Sequence, residues 1–112
     1  MSETKIYKGI RQPDKLDGTV FIYDSSPPFK LNLPMCSDIW NHSDGFNWGY
    51  GGSGPAQLAL ALLYDVTNDE KVASEYHQTF KWDILARLEV DSGWELSSKE
   101  ITEWLKTNRS KI

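Results

Sequence analysis

Ten consecutive residues, Pro55 to Tyr64, carry a single polar side chain apart from the tyrosine hydroxyl, that of Gln57. No amphipathic period fits this run. A helix that is apolar around its whole circumference has to be buried on most sides. It is also half the roughly 20 residues needed to cross a bilayer, so protein must bury it. The rest of the chain has to supply elements that wrap one central helix. Proline is favoured at the first helical position, where its missing N–H costs nothing. The expectation is therefore that Pro55 opens the helix, with Ser53 or Gly54 at the cap.

The wrapping elements are readable on both sides. Lys5–Arg11 reads as a short strand, and Asp17-Gly18 is a turn signal before the β-branched and aromatic run Thr19–Asp24. Ser25-Ser26-Pro27-Pro28 punctuates again, and Phe29, Leu31 and Leu33 then alternate with Lys30 and Asn32. Short links between neighbouring strands favour an antiparallel meander. After the apolar run, a second helix is expected from an Asn68/Asp69 cap to about Leu88, with Ala73, Tyr76, Phe80, Ile84 and Leu88 on one stripe. Ser97 and Glu100 have capping-box spacing for a third, which turns Ile101, Trp104 and Leu105 inward. Between these helices, Trp94-Glu-Leu96 either adds a short strand or plugs the core. Residues 1–112 thus read as one α+β domain: a three-stranded antiparallel N-terminal sheet packed against about three C-terminal helices, the first largely buried.

Composition removes several function classes. A net charge of −4 is too mild to mimic DNA and has the wrong sign for a nonspecific nucleic-acid binder. The single cysteine, Cys36, excludes an internal disulfide and fits a reducing compartment. The N-terminal MSETKIYKG has no apolar stretch of the signal-peptide kind. The expected setting is the cytoplasm, away from membranes. Two histidines and one cysteine cannot supply the four ligands of a structural zinc site. His42, within Asn41-His42-Ser43-Asp44, is a candidate base, and nothing orients it toward Cys36. No acid–base–nucleophile set can be assembled, so the chain reads as a non-enzyme without metal or cofactor.

One segment stands apart. Residues 35–54 are irregular and rich in Gly, Asn, Ser and Asp, and a loop this long in a small chain is a candidate functional element. Its end, Gly49-Tyr50-Gly51-Gly52-Ser53-Gly54, matches G-x-G-x-x-G. A dinucleotide site would need a strand before it and a second parallel strand after its helix, which the sequence lacks. The P-loop ending is missing, and Pro55 replaces the last glycine of a nucleophile elbow. Two readings stay open. The glycines can expose backbone N–H groups at the positive end of a helix, with Ser53 beside them, to hold an anion. Alternatively, they let the chain pass closely into a buried helix. Either way, at least one of Gly51, Gly52 and Gly54 is expected at positive φ. Trp40, Phe46, Trp48 and Tyr50 crowd the loop, facing outward as a stacking platform or partner anchor, or inward as a second small core. Trp82 lies off the second helix's apolar stripe, and either packs on a neighbour or marks an interface.

The stretch HSDGFNWGYGGSGPAQLALALL, followed by Tyr76, Phe80-Lys81, Trp94-x-Leu96 and Ile101-x-x-Trp104-Leu105, resembles a family of small proteins of bacterial, phage and plasmid genomes that is assigned to a domain of unknown function. The resemblance implies a mobile-element setting, where short acidic cytoplasmic proteins often antagonise host defence. The leading expectation is a small counter-defence binding protein that holds a nucleotide or other anion at Trp48, Gly49, Tyr50, Gly51, Gly52, Ser53 and Gly54. The alternative is a protein–protein inhibitor or assembly factor with no small ligand. In that case Trp82, Trp40 and Phe46 are the interface candidates, and the partner is a host or defence-system protein or a second copy of the chain.

Overall fold

The computed structural model describes residues 4–11, 17–25 and 28–109. Ser26 and Pro27 of the expected turn lie outside the described residues, as do the side chains of Phe29 and Lys30. Three strands open the chain: β1 (Ile6–Ile10), β2 (Thr19–Ser25) and β3 (Pro28–Asn32). Helices α1 (Ser53–Thr67) and α2 (Glu70–Asp83) follow, then a single 3-10 turn at Leu85–Arg87. The described chain ends with β4 (Trp94–Ser97) and α3 (Ser98–Arg109). The α+β reading holds, but the sheet has four strands rather than three.

The sheet order is β3-β2-β1-β4, with every pair antiparallel. The first three strands form the expected meander. The fourth returns from the far end of the chain to the free edge of β1, where Tyr7 stands opposite Leu96 on one side and Ile22 on the other. Alternation puts Tyr7, Val20 and Ile22 on the core face, all buried. Leu31 stands opposite Ile22 on the same face, yet it is 51% exposed because β3 is the edge strand. Leu33, whose amide donates to Val20 O at 3.0 Å, is buried. Across β1, the Trp94 indole fills the space that a side chain at Gly9 would need.

Helix α1 is the centre of the molecule, and every residue from Gly54 to Leu63 is buried. It starts two residues earlier than expected, and its cap is Gly52 rather than Ser53 or Gly54. Pro55 is accordingly the third helical residue. This position still needs no N–H, since the first intrahelical donor is Ala56 N, bonded to Gly52 O at 3.1 Å. At the other end Asn68 takes the left-handed conformation (φ 55°) and donates its amide to Tyr64 O. Asp69 then caps α2, accepting from the amides of Lys71 and Val72. α2 stops at Asp83, short of Leu88, because the chain tightens into the 3-10 turn that buries Leu85. The capping box of α3 forms in full: Ser97 N donates to Glu100 Oε1 and Glu100 N donates to Ser97 Oγ, both at 3.0 Å. No helix among the described residues is long and apolar enough to cross a membrane.

Candidate functional site

Gln57, the one polar side chain of the apolar run, ties the irregular segment to α1. Its Oε1 accepts from the amides of His42 (2.7 Å) and Ser43 (3.3 Å), and its Nε2 donates to Met35 O (2.6 Å). A fully buried amide whose oxygen and nitrogen are both hydrogen-bonded is stable in the core, and it fixes both ends of residues 35–43. A second clamp comes from Arg11. Its guanidinium donates to Val90 O, Asn47 Oδ1 and Trp48 O, and it lies 4.3 Å over the Trp48 ring.

The four loop aromatics divide. Phe46 and Trp48 point inward, and Phe46 makes a β-bridge to Gly18. Trp48 is completely buried, donates Nε1–H to Ser92 O at 2.9 Å and meets Trp94 edge-on. Its ring occupies the space above Gly18. Trp40 and Tyr50 point outward, 48% and 45% exposed, and Trp82 on α2 is 57% exposed. The outward platform is therefore Trp40, Tyr50 and Trp82, while Phe46 and Trp48 are core.

The glycines explain why these rings sit where they do. A Cβ on Gly51 would fall 2.1 Å from the Trp82 ring, one on Gly52 2.4 Å from the Tyr50 ring, and one on Gly54 2.6 Å from Asn47 Cβ. The expectation of positive φ at one of these three is overturned: among the described glycines only Gly49 has it, at 87°. The reason is packing rather than turn geometry. Gly49 makes the turn, its amide donating to Leu85 O at 2.9 Å, and a Cβ on it would fall 2.6 Å from the Val90 α-carbon. The other three give up their side chains to admit neighbouring groups. No acceptor among the described residues meets the amides of Gly51, Gly52, Ser53 or Gly54. Ser53 is exposed, and α1 has neither a side-chain cap nor an acidic residue in its first turn.

Between Trp40 and Trp82 the structure places a pair that is not legible in the sequence. His42 and His77 bring their Nε2 atoms to 2.9 Å. His77 Nδ1 faces the carbonyls of Ala73 (3.1 Å) and Ser74 (2.8 Å), so it carries the proton and leaves Nε2 as an acceptor. His42 must then donate from Nε2, and its Nδ1 retains a lone pair. Trp40 stacks on His42 with 5.0 Å between ring centroids. Burial lowers both pKa values, with His77 and Lys81 adding to the effect at His42. At His77 the carbonyls of Ser74 and Ala73 oppose that lowering and Lys81 reinforces it. Both rings are thereby held neutral at pH 7. The Lys81 ammonium, one turn on from His77, donates to Gly51 O at 3.1 Å and lies 4.5 Å over the Trp82 ring. Cys36, at φ 59°, turns its thiol toward Pro34 O rather than His42, and burial pushes its pKa up.

His77 and Lys81 lie four and eight residues after Ala73, on a second face of α2 beside the Tyr76–Phe80 stripe. That spacing is the only signal the sequence offers for them. Trp40, Tyr50 and Trp82 are exposed around a cluster whose inner members, His77 and Lys81, are buried. Two concavities lie elsewhere, both against α3, and neither is lined by these residues. The family model for a family of unknown function, DUF6166, matches residues 7–107. The chain belongs to that family. No curated protein and no solved structure matches it. The match spans β1 to α3, and so takes in both the glycine loop and the histidine pair.

Proposed function

We propose that this chain is a non-enzymatic binding protein that engages a protein partner through the exposed face of Trp40, Tyr50 and Trp82. The observation that carries this reading is the exposure of three large aromatic side chains around one rigidly anchored loop. Aromatic anchors on a fixed scaffold are the side chains that dominate protein interfaces, because they bury much area for little lost rotamer freedom. The mobile-element setting that the family resemblance implies would make that partner a host or defence-system protein, and the chain its antagonist. The test is affinity capture from a bacterial lysate, comparing the wild type with the Trp40→Ala/Trp82→Ala double variant. Leu31→Ala, an equally exposed apolar residue on the edge of β3, is the control. A partner held by the wild type and by the control, but lost from the double variant, is expected. Identical captures from all three, or none from any, would sink the reading.

A second reading is favoured by the uncompensated N-terminus of α1: an anion, nucleotide-like, held at Gly49–Gly54 beside Tyr50. Trp48, buried beneath, would support such a site from inside rather than touch the ligand. Ser53→Asp separates the two readings, because a carboxylate in the first turn complements the helix end and competes with any bound anion. Under the anion reading, calorimetric binding of mono-, di- or cyclic nucleotides disappears in this variant. Under the protein-partner reading, no nucleotide binds even the wild type.

A further inference from the structure

At the opposite end of α1 from the glycine loop lies an open concavity of about 430 Å³ between the start of β1, the last turn of α1 and α3. Its floor is a fixed polar cluster. The hydroxyl of the buried Tyr7 donates to Asp65 Oδ2 at 2.6 Å, and Lys5 Nζ meets the same oxygen at 3.3 Å. The backbone of Lys5 is itself held by α3: Lys5 N donates to Ser98 Oγ at 3.0 Å, and Ser98 N donates to Lys5 O at 2.9 Å. The wall is one face of α3, where Lys99, Thr102, Glu103 and Lys106 follow at i, i+3, i+4 and i+7. Thr102 donates its hydroxyl to Ser98 O at 2.8 Å, which leaves its oxygen lone pairs free to accept.

The charge balance of this concavity runs against that of the chain. Three lysines (Lys5, Lys99, Lys106) line it against two carboxylates (Asp65, Glu103), giving +1 in a protein of net −4. Asp65 is already engaged through Oδ2 by Lys5 and Tyr7, so the cations of α3 exceed what the cluster needs. Asp65 Oδ1 takes no part in those contacts, and Asp65 lines a space large enough for a small metabolite, at the lower end of the usual pocket range of roughly 300–1,000 Å³. Cations on two walls with hydroxyl acceptors between them match a molecule carrying one strong anion and several hydroxyls.

We propose that this concavity binds a sugar or polyol monophosphate. Lys5, just before β1, and Lys99 and Lys106 from α3 supply the counter-charge to the phosphate, while Asp65 Oδ1 and Thr102 accept from the hydroxyls. The site is independent of the aromatic face and does not depend on what that face binds.

Calorimetry of the whole chain against glucose 6-phosphate, glucose, inorganic phosphate and AMP tests it. Glucose 6-phosphate is expected to bind more tightly than either phosphate or glucose alone. The Lys99→Ala/Lys106→Ala variant, altered only at exposed positions, is expected to weaken binding about tenfold or more, since charge-assisted hydrogen bonds are lost. Thr102→Val, which keeps the side-chain shape, should weaken glucose 6-phosphate binding while leaving inorganic phosphate unchanged. Equal affinity for phosphate and glucose 6-phosphate overturns the sugar assignment. Absence of binding at millimolar concentration, or binding that the lysine variant leaves intact, overturns the site. Glucose 6-phosphate binding that survives the lysine variant and falls in Ser53→Asp also overturns it, by returning the anion to the glycine loop.

Discussion

Helix α1 begins under a motif and ends beside a cavity, and the two ends differ in what they show about reading a site from residues. At the N-terminal end, three glycines in four residues look like a ligand cradle. The space above them is filled by the protein itself: Trp82 over Gly51, Tyr50 over Gly52, Asn47 against Gly54. About 22 Å away, at the 1.5 Å rise of each of its 15 residues, the C-terminal end carries no motif at all. There a buried tyrosine, an aspartate and residues from β1 and α3 frame open space. Small residues mark where the chain packs closely, and polar residues from distant segments mark where it stays open. The comparison also separates two kinds of cost: changes at the packed glycines of the N-terminal end should act on stability, and changes at the lysines of the C-terminal end on small-molecule binding.

The largest effect is expected at Gln57. Gln57→Leu keeps the volume of the buried side chain but leaves the amides of His42 and Ser43 and the carbonyl of Met35 without the partner they have now. At about 1–3 kcal/mol for each group left unsatisfied, urea denaturation should show a loss of about 3 kcal/mol or more. A loss under about 1 kcal/mol would mean that water readily replaces the amide, and that the loop is not held by α1 in the way argued above.

A smaller effect separates two kinds of glycine within the loop. Gly49→Ala forces a side chain into positive φ, which costs roughly 1–2 kcal/mol for an L-residue, and presses its Cβ onto the backbone of Val90. Gly51→Ala meets only the far edge of the Trp82 ring, which is exposed and able to swing aside. Thermal unfolding should therefore drop clearly for Gly49→Ala and little for Gly51→Ala, whereas Trp82 fluorescence should change more in the second. Equal losses in both variants would show that Trp82 is locked in place rather than a free outward anchor.

How far the sequence discloses all this follows from range. Signals that live within one element are readable: the apolar run of α1, the Ser97–Glu100 capping box, the β-branched run of β2. Strand β4 is not, because its partner β1 lies more than 80 residues upstream and four residues alone read equally well as a core plug. The loop aromatics could not be assigned to inside or outside either, since an irregular backbone has no period to sort Phe46 and Trp48 from Trp40 and Tyr50. The His42–His77 pair joins residues 35 positions apart and depends on where α2 lies against the loop. The α3 face of Lys99, Thr102, Glu103 and Lys106 reads in sequence as an ordinary solvated helix side. Only β1 and α1 beside it make it the wall of a cavity.

The histidine pair supplies a pH-dependent effect confined to the N-terminal side of the comparison. Both imidazoles have lowered pKa values in the folded chain, chiefly through burial, so the unfolded chain binds protons more tightly. Stability is then fully present above about 6.5, the ordinary histidine value. It falls as the pH drops from there toward the lowered folded values, by up to about 1.4 kcal/mol per pH unit for each extra proton the unfolded chain takes up. His77→Asn should flatten the stability profile between about pH 5 and 7 relative to wild type. An unchanged profile would mean that other groups control acid stability.

The smallest effect belongs to the C-terminal end, and its smallness is informative. Lys99 and Lys106 are exposed on α3, and no ion pair among the described residues includes them. Lysines serving only the fold would be there to complement a helix end or a neighbouring carboxylate, worth roughly 0.3–1 kcal/mol each. Lys99 stands in the first turn of α3, where a cation opposes the helix dipole, so stability does not account for its position. Lys106 lies in the last turn, where a cation is favourable. The two contributions oppose each other, and the double alanine variant should unfold within about 0.5 kcal/mol of the wild type, the range for surface changes. A larger loss would assign these lysines to the fold and remove the reason for reading the cavity as a site. A neutral result, together with lost sugar-phosphate binding, would place function at the end of α1 that carries no motif.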